Sequence, residues 1–289
     1  MIKKTFLITL LVISLFGCSK EESNNGNVNG NIETDFSKGI YHPGKRIHKI
    51  SFYEYKPGIY DGYNYYEGYA ELDWDGKKLQ KLSYYSNENG YYCEIIYNYD
   101  EKGRFKEIIV KEDEIDWGKL VFSYSGDKLM YVSVCYGDEM PIGNWNYLIS
   151  SILYRVENSN SHQEYQLTYQ NDNIVKIIEP VSTNTQYEYE WAYDSYPNPF
   201  YGSWIDYFWR YYFSSCIISP FTHCPNNCIS ENWCEKLFLD GVWYYHYGDG
   251  YYNDVMMYSR NYSYDYDNDN YPTRIYENDN LKLEIEYYD

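Results

Sequence analysis

Tyr91 to Lys111 reads YYCEIIYNYDEKGRFKEIIVK, and this stretch decides the fold. Its first half, through Tyr99, is built of tyrosine, isoleucine and cysteine, side chains that suit a pleated strand. Asp100-Glu101-Lys102-Gly103 then breaks the run with residues that accept the positive φ of a tight turn, and Arg104 to Lys111 resumes it. A strand, a polar turn and a returning strand make a β-hairpin.

The same grammar recurs on both sides: an aromatic residue, a polar turn, then two apolar residues three positions apart. The copies are Trp74 with Leu79 and Leu82, Tyr99 with Phe105 and Ile108, Tyr124 with Leu129 and Val132, Tyr169 with Ile174 and Ile177, and Tyr266 with Pro272 and Ile275. The first three aromatics lie 25 residues apart, room for two strands and two turns, and the later gaps of 45 and 97 imply insertions. Helical periodicity is almost absent from Ile40 onward. The expectation is an all-β domain over residues 40–289. It is an antiparallel β-meander of repeated hairpins, forming a curled single sheet or half-barrel of a dozen or more strands. One irregular Cys- and Pro-rich excursion interrupts it at about 197–240.

Composition narrows the function. The 289 residues carry 24 Lys+Arg against 43 Asp+Glu, a formal charge of −19. That sign repels phosphate backbones and argues against nucleic acid as a partner. Aromatics reach 21%, with 42 tyrosines, so the chain folds rather than remaining disordered.

The start of the chain reads as an address. Lys3 and Lys4 precede an apolar run from Phe6 to Phe16, too short to cross ~30 Å of hydrocarbon as a helix. Residues 1–17 are therefore read as an export signal peptide, and the motif that closes them says of which kind. The run ends in Leu15-Phe16-Gly17-Cys18, which resembles the bacterial lipobox. The resemblance implies that Cys18 is acylated and anchors the protein, each buried CH₂ adding about 0.8 kcal/mol. Ser19-Lys20-Glu21-Glu22 resembles the surface-export signal of Bacteroidetes lipoproteins, which implies the outer membrane and the cell surface. Residues 18–39, rich in Asn, Gly, Ser and Glu, form an acylated flexible tether reaching roughly 25 Å.

The body has a resemblance too. Tyr99-Asp100-Glu101-Lys102-Gly103-Arg104-Phe105 and Tyr264-Asp265-Tyr266-Asp267 resemble the YD repeats of RHS-type proteins. With Tyr193 to Phe200 (YDSYPNPF) and Tyr264 to Ile275 (YDYDNDNYPTRI), the body looks like a Bacteroidetes surface lipoprotein of unknown function with degenerate YD-like β-hairpin repeats. That resemblance implies hairpin geometry and brings no active site.

Candidate chemistry is sparse. No HExxH, GxSxG, Walker or dinucleotide motif occurs, so no catalytic residue, cofactor or metal is assigned. Cys216, Cys224, Cys228 and Cys234 lie in the excursion and are expected to pair as disulfides. Free buried thiols, or zinc shared with His223, are the alternatives. Asp265, Asp267 and Asp269 imitate the opening of a calcium loop, but Asn270 stands where the loop needs glycine, and a hairpin turn explains the same residues. The tyrosines build cross-strand ladders. A patch of Trp204, Trp209, Trp243, Tyr244, Tyr245 and Tyr247, with Trp233, Tyr251 and Tyr252 beside it in the sequence, is the candidate ligand platform, with glycan as the ligand. The expected role is non-catalytic binding or structure at the cell surface. A protein partner engaged by β-strand addition is the second reading, and a polymer hydrolase the third.

Overall fold

The alternating segments of the sequence become strands. The computed structural model describes residues 40–41, 43–56, 63–87, 90, 92–112, 115–136, 143–147, 152–157, 161–205, 223–247, 250–252 and 258–289. The first six strands are β1 (Ile47–Lys56), β2 (Tyr63–Asp75), β3 (Lys78–Ser86), β4 (Tyr92–Tyr99), β5 (Phe105–Glu112) and β6 (Ile115–Ser125). Next come β7 (Lys128–Tyr136), β8 (Gly143–Tyr147), β9 (Ile152–Glu157), β10 (Ser161–Gln170), β11 (Asn173–Ser182) and β12 (Thr185–Pro197). The last are β13 (Asn226–Leu239), β14 (Val242–Tyr247), β15 (Gly250–Tyr252), β16 (Tyr258–Tyr266), β17 (Pro272–Glu277) and β18 (Asn280–Tyr287).

Each strand from β1 to β13 pairs antiparallel with the next. β13 then forks. Its upper half pairs with β14 and its lower half with β16, so β14 and β15 form a side hairpin. The main run continues through β17 and β18, and β18 pairs with β1. Among the described residues the result is one eighteen-stranded antiparallel sheet, a curled meander of sixteen strands with the β14–β15 hairpin at its side, as the alternation predicts. Pairing the first strand with the last covers edges that a flat meander would expose.

Local chemistry sets the turns. Asn171-Asp172, Asp240-Gly241 and Asn278-Asp279 all have positive φ at both residues, the conformation of two-residue hairpin loops. The two YD copies share a second design. The Asp100 carboxylate accepts the backbone N–H of Lys102 and of Arg104, each at 2.9 Å, with Gly103 at φ 78°. The Asp267 carboxylate accepts those of Asp269 and Tyr271, also at 2.9 Å, with Asn270 at φ 65°. Lys45 Nζ sits 2.6 Å from both Asp267 and Asp269, so these acids serve the hairpin turn.

Aromatic residues at the ends of the even-numbered strands stitch neighbouring strands together. Trp74 Nε1 donates to the Ile47 carbonyl at 2.8 Å, Tyr99 to Leu79 at 2.6 Å, and Tyr124 to Phe105 at 2.7 Å. Tyr193 donates to Ile174 at 2.7 Å, Tyr264 to Cys228, and Tyr287 to Pro272 at 2.8 Å. Each acceptor lies at or near the start of the strand beside it. Cations cover several of these rings, closest at Arg104 over Tyr124, 3.9 Å from the ring centroid. Tyr169 departs from the pattern: it stands 53% exposed. Tyr266 also departs, because its hydroxyl bonds the Asp194 carboxylate.

One face of the sheet is apolar and buried, with Ile47, Ile50, Leu79, Leu82, Ile95, Phe105, Ile108 and Leu120 at its centre. The excursion adds to this core at the stitched end. Phe200 and Ile205 are buried, Trp204 packs edge-on against Phe122 at 5.2 Å, and Tyr41 donates to the Pro199 carbonyl at 2.7 Å. The irregular path is shorter than the sequence suggests, because residues 226–239 form β13, the longest strand. Its alternation is hidden in the sequence because glutamates occupy part of its core face.

Two hydroxyls separate the stitch from mere burial. Tyr124→Phe deletes the bond to the Phe105 carbonyl and should cost about 1 kcal/mol in urea unfolding. Tyr271 is 5% exposed and its hydroxyl has no partner among the described residues, so Tyr271→Phe should leave stability unchanged or raise it. Equal losses in the two variants would refute the role given to the tyrosine-to-carbonyl bonds.

Candidate functional site

Away from the stitched end, the core face of β11, β12, β13, β16 and β17 changes character. Strand register sets its residues in rows. Tyr187 stands between Glu179 and Glu235, and Tyr189 between Ile177 and Trp233. Glu231 stands between Trp191 and Arg260, and Tyr262 faces Glu277. Every second residue of a strand shares a face, so Tyr187, Tyr189 and Trp191 come together on β12, as do Glu231, Trp233 and Glu235 on β13.

The aromatic rings touch. Tyr189 and Trp191 are nearly parallel, 7° apart with centroids at 5.9 Å, and Tyr187 meets Trp233 edge-on at 6.2 Å. The carboxylates are woven among them. Tyr189 donates to Glu179 at 3.1 Å and Tyr262 donates to Glu231 at 3.3 Å. Arg260 lies 3.7 Å from Glu231 and 3.5 Å from Glu277. Glu231 is 4% exposed, and burial pushes its carboxyl up despite Arg260, Tyr262 and Trp191. Burial also raises the Tyr187 phenol, with Glu235 and Glu179 adding to it. The wall is not sealed: the Arg260 and Glu277 side chains keep 21% and 19% exposure.

The opposite face is differently charged. Lys176 Nζ bonds Glu188 at 2.8 Å and Glu190 at 3.0 Å, and Lys236 Nζ bonds Glu188 at 2.8 Å. Burial opposes it, yet the two lysines hold the Glu188 carboxyl below its usual range. Lys81–Glu94 at 3.0 Å and Arg274–Glu284 at 2.9 Å continue the same surface elsewhere. A row of tyrosines also crosses it, Tyr69, Tyr85 and Tyr92, with centroids 5.0 and 4.9 Å apart. These rings lie against one another, which fits ladder-building better than presenting open faces to a ligand.

The expected platform is divided. Trp204 is 6% exposed and belongs to the core, because the chain after Pro197 turns inward to fill the stitched end. Trp209 and the side chain of Tyr247 lie outside the described residues. Trp243 remains exposed, its ring 5.2 Å from Phe238, and Tyr245 lies beneath Lys236 at 4.8 Å. Tyr244 takes the other face of β14, since strand neighbours alternate.

The cysteines also differ from expectation. Cys224, Cys228 and Cys234 are buried free thiols with no bridge among them, and Cys216 lies outside the described residues. Cys224 Sγ approaches the Tyr193 hydroxyl at 3.1 Å and receives the Ile174 N–H at 3.3 Å, while Cys228 Sγ points to the Ser230 carbonyl at 3.3 Å. Burial pushes the Cys224 and Cys234 thiols up to about 11. Among the described residues no group of His, Cys, Asp or Glu is arranged to hold a metal.

Of the wall, sequence inspection singles out Trp233 alone, but one further signal was available. Glu231-Asn232-Trp233-Cys234-Glu235 puts an acid two residues to each side of a tryptophan, so all three share a face of a strand. Glu231 gives the stability test. Its folded carboxyl binds a proton more tightly than the unfolded one, so wild type is penalised above the raised value and relieved as pH falls through it. Glu231→Gln should therefore gain most in melting temperature over wild type near pH 8, with the advantage shrinking toward pH 5. An advantage that grows on acidification would contradict the buried, proton-favouring site.

No protein-family profile matches the chain, and no curated protein does. Among solved structures, the chain is similar to a porin-like protein from Bacteroides vulgatus, with a TM-score of 0.35 and 10% identity, covering 84% of this chain and 99% of that one.

Proposed function

We propose that this chain is a non-catalytic, lipid-anchored cell-surface protein that binds glycan on the aromatic and carboxylate wall of β11–β13 and β16. The observation that carries the proposal is the register that sets Tyr187 and Trp233 among Glu179, Glu231 and Glu235 on one face. Sugar rings offer flat C–H surfaces to indole and phenol rings, and hydroxyls to carboxylates, so this mixture suits a polyol. A carboxylate in a sheet core is costly unless hydrogen-bonded or paired, and here Tyr189 holds Glu179 while Tyr262 and Arg260 hold Glu231.

Binding is favoured over hydrolysis because Glu231 and Glu277 both lean on Arg260, whose guanidinium stands where a scissile bond would have to lie. Strand addition is less favoured because β18 pairs with β1, occupying the two end strands of the meander. Attachment is assigned to Cys18 rather than to the sheet. The sheet's outer face carries Lys81–Glu94, Lys176–Glu190 and Arg274–Glu284, the reverse of the apolar band that a lipid-facing wall presents.

Two measurements test this. The intact protein on a broad glycan panel should give hits that Trp233→Ala weakens at least about tenfold and Trp243→Ala leaves unchanged. Hits lost only in Trp243→Ala would move the site to the outer patch, and a blank panel would reject glycan binding. In cells fed labelled palmitate, wild type should take up label and Cys18→Ala should not. Label in both would remove Cys18 as the anchor.

A further inference from the structure

The wall has a charge as well as a shape, and this deepens the glycan-binding proposal on which it rests. Glu179, Tyr187 and Glu235 form one cross-strand row, so a single phenol ring is flanked by carboxylates on both neighbouring strands. Trp233 meets that ring edge-on at 6.2 Å. The lysines of the same three strands, Lys176 and Lys236, bond Glu188 and Glu190 on the opposite face. Those two lysines are on one side of the sheet and this row is on the other, where Arg260 lies against Glu231 and Glu277.

We infer that the row selects glycans bearing a free amine: the ammonium group of an amino sugar sits at Tyr187 and Trp233 between Glu179 and Glu235. Two independent attractions coincide there. An aromatic face draws a cation through its quadrupole, most strongly when water is partly excluded. Carboxylates on both sides add charge-assisted hydrogen bonds to its N–H groups. An acidic sugar meets the same carboxylates as repulsion, and an N-acetylated one brings no charge and a bulkier group. The formal charge of −19 enriches cationic ligands near the whole surface, and the row gives that attraction a place.

The experiment is calorimetric titration of the intact protein with hexamers of glucosamine, N-acetylglucosamine and galacturonate, in buffer acidic enough to charge the amines. The glucosamine hexamer should bind about tenfold more tightly than the acetylated one, with the advantage falling as salt rises. Glu179→Gln and Glu235→Gln should each remove most of that advantage, while Glu190→Gln on the opposite face should not. Unchanged melting temperatures show that the variants fold. Acetylated or acidic hexamers binding as well as glucosamine would overturn the amine preference and leave glycan binding standing. Spermine titrated as a fourth ligand is the control: its binding in place of every hexamer would overturn glycan binding and leave the ammonium site. No binding by any of them would overturn both.

Discussion

The hydrogen bond from an aromatic side chain to the carbonyl beside it, repeated along one end of the sheet, is the constraint on which the rest of the structure depends. A long antiparallel meander is held edge to edge by its ladder, and ladders fray at strand ends. Here Tyr99, Tyr124, Tyr193 and Tyr287 each reach from the end of one strand to a carbonyl at the start of the strand beside it. A phenol has the length for that reach and an apolar ring to leave in the core, which neither phenylalanine nor serine combines. This geometry gives tyrosine one use in the fold, and the ladder of Tyr69, Tyr85 and Tyr92 on the outer face gives it another.

Fixing one end lets the same strands do something different further along. Near the stitched end the core face is Ile47, Leu79, Phe105 and Phe122, closed over by Phe200, Trp204 and Ile205. Farther up β12 and β13 the core face keeps Trp191 and Trp233 but takes in Glu231 and Glu235 beside them. Apolar packing at the stitched end stabilises the fold, so the wall can hold carboxylates that add no apolar burial. Arg260 stands between Glu231 and Glu277, and the Tyr262 hydroxyl completes the set. Because both are laid down by strand register, a one-residue slip would turn the wall out and bring Lys176 and Lys236 in.

The side hairpin of β14 and β15 belongs to the same economy. β13 is long enough to serve two partners on one edge, β16 below and β14 above. Phe238, Val242 and Trp243 stay exposed at the Asp240-Gly241 turn, where no further strand among the described residues covers them.

Local chemistry was written in the chain. Positive-φ turns at Gly103, Asn171-Asp172 and Asn270, the alternation of Tyr91–Lys111 and the aromatic-turn-apolar grammar determine an antiparallel all-β meander, because turn and strand preferences act over a few residues. Partners distant in sequence were not legible. Nothing near Tyr124 shows that its hydroxyl meets Phe105, and nothing near Trp204 shows that it fills the core rather than facing solvent. Cys224 and Cys228 count among four bridge candidates in the sequence, and the fold gives each a different neighbour instead. Glu231 became a wall residue only when register placed it between Trp191 on β12 and Arg260 on β16. The sequence by itself determined which segments are strands and where they turn. Which side chains share a face across several strands was decided by tertiary structure, because register is a property of the paired strands and not of any one of them.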